Sequence, residues 1–151
     1  MIDNRIRIGL IAGLVAVTTS TIASLALRAA GVFPDGLDLK HLAEWAIDPV
    51  TNATTGTIAG VAIHVVLGAV TGVIYLLLVR RSSPVTGVLF MLPVWLFMNL
   101  ILFPLTNRGL LGLDQGVALA LGTLFLNVLF GSVLGAVAQR LVAPAGAGAD
   151  L

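Results

Sequence analysis

The chain has 151 residues, of which 58% are hydrophobic and only 10% charged, with a mean hydropathy of +1.08. That charged fraction is less than half of the roughly 25% usual for a soluble domain, which excludes an ordinary water-soluble fold. A formal charge of +1 leaves no basic field for nucleic acid. The lack of cysteine removes disulfides, thiolate metal sites, iron–sulfur clusters and cysteine nucleophiles, leaving His41 and His64 as the imidazoles.

Charged residues are so sparse that the gaps between them divide the chain. Four gaps are long enough for a hydrocarbon core that needs about 20 residues. They predict membrane-spanning helices at 8–30, 57–79, 85–105 and 116–138 in an all-α, four-helix bundle forming one membrane domain. Helices are required because lipid cannot satisfy free backbone groups, and a barrel would show short alternating segments instead. Arg5 and Arg7 precede the first span as they would in a signal peptide. The uncharged run from Ile8 to Leu27 is longer than the about 7–15 residues of such a leader, so an uncleaved span is expected.

The long connection 31–56 carries Leu39, Leu42, Ala43, Ala46 and Ile47 at spacings of three and four, opposite Asp38, Lys40, His41, Glu44 and Asp48. This pattern predicts a short amphipathic helix in the first outer loop, either on the interface with Trp45 as anchor or folded over the bundle mouth. The second and third spans are joined by a very tight turn at Arg80-Arg81. The third span is bulkier, with Trp95, Phe97 and Phe103, and Pro93 removes a backbone bond in mid-span, which predicts a kink. The Ala/Gly-rich tail 144–151 is expected to be disordered. Arg5, Arg7, Arg80, Arg81 and Arg140 fall on one side of the membrane and Arg28, Lys40 and Arg108 on the other. The excess places both termini in the cytoplasm, in a multi-pass protein of the plasma membrane.

Small residues recur every four positions. The second span carries Gly56, Gly60, His64, Gly68 and Gly72, and the fourth Thr123, Asn127, Gly131 and Gly135. Residues 64–73 and 127–136 align at both glycines with an offset of 63 residues, which reads as a two-helix unit occurring twice in one orientation, with Gly9 and Gly87 opening the first helix of each copy. The alternative is that Gly and Ala are simply common in this chain. Such stripes let helix backbones approach closely where lipid supplies no hydrophobic drive, so Gly60, Gly68, Gly72, Gly131 and Gly135 are expected at helix contacts.

At a rise of about 1.5 Å per residue, His64 and Asn99 lie roughly 10 Å below the outer boundary and Ser20 and Asn127 roughly 15 Å below it. Ser20, Ser24, His64, Asn99 and Asn127 thus form a candidate polar layer, expected to point inward and hydrogen-bond across helices, or to bind a small polar group with His64 as its titratable member. No Asp or Glu lies inside a span, so carboxylate-based proton coupling has no carrier. An intramembrane Ser132–His64 pair is excluded by a depth difference of roughly 14 Å. No catalytic residue, cofactor or metal site is expected.

The segment GTLFLNVLFGSVLGA (122–136) is similar to the Gly-Thr…Asn…Gly-Ser helix of small four-helix fluoride channels. Here it stands in the fourth helix instead of the second, its Asn-to-Gly spacing is longer by one, and the Phe-rich broken-helix motif is missing, so the chain falls outside that family. GLIAGLVA (9–16), HVVLGAVTG (64–72), FPLTNRG (103–109) and the glycine-striped last helix, behind a short Arg-bearing N-terminus, resemble a prokaryotic family of small four-helix membrane proteins of unknown function. Asn127 departs from the His expected in many relatives. The resemblance implies fold and location alone. The residues therefore favour a non-enzymatic membrane component, self-associating in a homo-oligomer or accessory to other membrane subunits. The alternative is a small oligomeric transporter or channel whose pathway passes His64 and Asn127.

Overall fold

The computed structural model describes residues 2–32, 53–105 and 108–142. The expected amphipathic helix with Trp45 and the tail 144–151 lie outside the described residues. The four expected spans are present as α1 (Ile2–Ala29), α2 (Ala53–Leu78), α3 (Pro84–Leu105) and α4 (Val117–Val142), each long and apolar enough to cross a membrane. The protein is all-α, and its four apolar helices are those of a multi-pass membrane protein.

The helices outrun their apolar cores. α1 starts six residues before the expected boundary, so Arg5 and Arg7 stand on the helix, and α4 runs on to Val142 past Arg140. A polar side chain at a helix end does not stop the backbone ladder, and Arg5 donates from Nη2 to the Val79 carbonyl just past α2 (3.0 Å). α3 begins with a built cap. Ser83 accepts from the Thr86 N–H (3.1 Å), Thr86 Oγ1 accepts from the Ser83 N–H (2.9 Å), and Pro84 fills the first helical turn, where its missing N–H costs nothing.

The backbone of α3 stays helical through Pro93, and its irregularity lies further on. A π-helical turn spans Met98–Leu102, with the Phe103 N–H reaching the Met98 carbonyl five residues back. The widened turn sits directly before Pro104, whose ring would crowd the carbonyl four residues earlier in a regular helix. Between α3 and α4 runs a 3-10 segment, Leu110–Gln115. Gly112 has φ +71° there, and a Cβ would stand 2.7 Å from Leu119 Cδ2 and 2.9 Å from Phe103 Cδ2, so the turn has room for glycine alone.

Consecutive helices are antiparallel, so the start of α1 and the end of α4 lie at one end of the bundle, called here the terminal end. α1 packs on α2 and on α4, and α4 also on α3. In hairpin one (α1 and α2), a Cβ on Gly9 would fall 2.7 Å from Val73 Cα. One on Gly13 would meet the Gly68 carbonyl oxygen, and one on Gly72 the Gly9 oxygen. In hairpin two (α3 and α4) Gly87 faces Gly131, and Gly135 faces Ser83. The two crossings are equivalent with Gly13 on Gly87, not with Gly9 on Gly87 as the alignment of helix starts suggests, because Gly9 meets Gly72 while Gly87 meets Gly131. Gly60 is buried as well.

The hairpins join along α1 and α4. α2 and α3 meet chiefly through Tyr75, fully buried, which stacks edge-on to Phe90 at 5.3 Å and shares a 2.8 Å hydrogen bond with Thr86. Around it lies one core cluster with Ala12, Ala16, Val17, Leu76, Leu134 and Ala138, all without exposed surface.

Candidate functional site

The candidate polar residues fall into two groups. Ser20, Ser24 and His64 come together in a cleft of about 290 Å³ between α1, α2 and α4. Asn99 and Asn127 belong to hairpin two and do not line it. The spacing of α1 explains the first group: Ser20, Ser24 and Arg28 follow one another at four-residue steps down a single helix face, one turn apart. Thr21 and Leu25 flank that stripe. α2 supplies Thr57, Val61 and His64, and α4 closes the side with Leu126 and Phe130. Phe130 also belongs to the buried core cluster, so the cleft ends on packed side chains.

The hydrogen bonds run along the helices more than across them. Ser20 Oγ donates to the Val17 carbonyl at 3.0 Å and Thr21 Oγ1 to the same carbonyl at 2.8 Å. Asn127 Nδ2 donates to the Thr123 carbonyl and Asn99 Nδ2 to the Trp95 carbonyl, both at 2.9 Å. Ser and Thr can return their hydroxyl protons to the preceding turn, and Asn fits the same geometry, so the expected cross-helix bonds have a local competitor. Asn99 is fully buried and its Oδ1 has no partner among the described residues. His64 is half-buried and makes no hydrogen bond among the described residues.

The cross-helix bond in hairpin two uses residues outside the expected layer: Trp95 Nε1 donates to Thr123 Oγ1 at 3.1 Å. The signal was present, since a mid-span indole N–H needs an acceptor and Thr123 lies on the small-residue stripe of α4. Arg28 was likewise legible as a loop charge but not as part of the cleft wall. Beyond the spans, Arg108 lies with its guanidinium 5.7 Å from the Phe103 ring centroid, and partial burial lowers its pKa from the ordinary arginine value. Among the described residues no three His, Cys, Asp or Glu side chains gather as a metal site would need.

Chemically the cleft offers hydroxyls, one imidazole and one guanidinium against an apolar wall, with no carboxylate among the described residues that line it. Among the described residues no hydroxyl is hydrogen-bonded to the His64 imidazole as an activated nucleophile would be. No curated protein and no solved structure matches the chain. The family described as "Family of unknown function (DUF6789)" matches residues 3–147, nearly the whole sequence and all four helices. The chain therefore belongs to that family.

Proposed function

We propose that the chain is a non-enzymatic integral membrane component that acts by association, either with copies of itself or as an accessory subunit of a membrane complex. It sits in the plasma membrane with both termini in the cytoplasm, as the Arg80-Arg81 turn and the other terminal-side arginines favour. The observation that carries this reading is that the cleft stops at the packed core. Its polar residues reach inward from the far end to Phe130, and beyond them Val17, Tyr75, Leu76 and Leu134 are each 0% exposed. A pathway would have to pass through that plug and through the backbone contacts of Gly13 with Gly68 and Gly9 with Gly72. A site that holds something fits this geometry better than a route through the bundle.

The glycine stripes support the same reading in a narrower form. They are used inside each hairpin, so association with a partner falls to the exposed apolar faces, such as Val66, Leu67, Val70 and Ile74 on α2 and Leu89 and Leu96 on α3. Native mass spectrometry of the protein gently extracted from its host membrane is expected to show a discrete homo-oligomer or a complex with other subunits. A bare monomer that moves solute across liposomes would overturn the proposal.

A further inference from the structure

The two hairpins fill one equivalent place differently. Superimposing the crossings, Gly13 on Gly87 and Gly68 on Gly131, brings Thr21 onto Trp95 and Gly60 onto Thr123. In hairpin two the Trp95 indole spans the gap between the helices and is held by its hydrogen bond to Thr123. In hairpin one a threonine and a glycine stand there, and Thr21 lines the cleft instead of filling it. The same register places the polar residues behind it. With Gly13 against Gly68, Val17 lies level with His64 and Ser20 with Val61, so Ser20 and His64 stand about 4–5 Å apart along the bundle axis. Each side chain leans toward the N-terminus of its own helix. Because α1 and α2 are antiparallel, these two lean toward one another in the cleft that both line.

Their hydrogen-bonding capacity is complementary. Ser20 and Thr21 give their protons to the Val17 carbonyl, which leaves oxygen lone pairs that accept. His64 makes no hydrogen bond among the described residues, and a neutral imidazole brings one N–H and one bare nitrogen. Arg28 and Thr57, toward the far end, already have partners and take no part. A group that only accepts can use the His64 N–H and nothing on Ser20 or Thr21, and a group that only donates leaves that N–H unpaired. A hydroxyl does both. His64 stands nine residues inside the span that begins at Thr55, about 13 Å of helix, where a charged group costs far more than a neutral one. The wall of Val61, Leu126 and Phe130 is apolar, so the hydroxyl must be carried on a hydrocarbon body. We propose that this cleft binds a neutral lipophile through one hydroxyl, which accepts from the His64 imidazole and donates to the Ser20 or Thr21 oxygen, with its hydrocarbon along Val61, Leu126 and Phe130. The proposal concerns one copy of the chain and stands apart from whether that chain associates.

The test uses the full chain in phosphatidylcholine nanodiscs titrated with dodecan-1-ol, dodecane and dodecyl phosphate, read as bound ligand by native mass spectrometry and as ring 15N shifts of His64. Dodecan-1-ol is expected to bind one per chain and to move the His64 ring signals, with dodecane and dodecyl phosphate at least tenfold weaker. His64→Leu should weaken dodecan-1-ol at least tenfold while the thermal midpoint stays in place, because the imidazole has no hydrogen bond to lose. Thr21→Trp, which rebuilds the filled arrangement of hairpin two, should abolish binding, and Leu89→Trp on the exposed face of α3 should leave it unchanged. Val61→Phe, closing the cleft from α2, replaces Thr21→Trp if that variant does not fold. No binding by the folded wild type, dodecane or dodecyl phosphate bound as tightly as dodecan-1-ol, or full binding by His64→Leu or by a folded cleft-filling variant would overturn the proposal.

Discussion

Replacing Gly87 with valine is expected to lower the stability of the bundle by about 3 kcal/mol or more, at the top of the range for overpacked interiors. A Cβ at this position runs into the Gly131 carbonyl oxygen and stands 2.9 Å from Gly131 C and 3.0 Å from Gly135 N. All three are backbone atoms, so relief requires α3 and α4 to separate instead of a side chain to turn. The gain in helix propensity from Gly to Val is only a few tenths of a kcal/mol and cannot offset this. Ala62→Val, on an exposed face of α2, is the matched control and should stay within about 0.5 kcal/mol of wild type. Reversible unfolding in bicelles measures both. A Gly87→Val protein as stable as the control would mean that the helices are not in backbone contact there.

The second large effect belongs to Tyr75. Its ring is fully buried, packs on Phe90 and holds α2 to α3, which otherwise touch little. Tyr75→Ala is expected to cost about 2–3 kcal/mol, below the full aqueous-core value because lipid, not water, is the reference for the exposed ring. Tyr75→Phe should cost about 0.5 kcal/mol, near the mean for one interhelical hydrogen bond in a membrane. The small value follows from Thr86, whose hydroxyl keeps its partners at Ser83 and Arg81 when the phenol is gone. Equal costs for the two variants would contradict the assignment of most of the energy to ring packing.

How far the sequence speaks depends on which coordinate is asked for. Span number and length follow from charge spacing, because desolvating a charge in lipid is costly enough to bound each helix to within a turn or two. The ends at Ile2 and Val142 lie beyond those bounds because Arg5 and Arg140 stay on the helix, whose backbone bonds a charged side chain does not interrupt. Depth arithmetic put Ser20, His64, Asn99 and Asn127 in one layer, but depth says nothing about rotation around the bundle. Rotation is set by the glycine crossings, and those put His64 beside Ser20 and Ser24 while turning Asn99 and Asn127 toward hairpin two. Nor does depth reveal that the preceding helical turn competes as an acceptor, and it takes the Ser20, Asn99 and Asn127 donors. Pro93 predicts the irregularity of α3 in mid-span, yet the π turn precedes Pro104, where the span is about to end and a widened turn can be absorbed.

The account turns on a cleft that stops at the packed core beside Phe130, and the cysteine-free sequence makes that directly measurable. Single cysteines at Ser24 and His64, with Arg80→Cys as the terminal-side reference, would be reacted with a membrane-impermeant maleimide in vesicles of each orientation. The cleft positions are expected to label from the far side alone and Arg80→Cys from the terminal side alone. Labelling of His64→Cys from both sides would reveal a continuous aqueous path through the bundle and contradict the account in favour of a transporter.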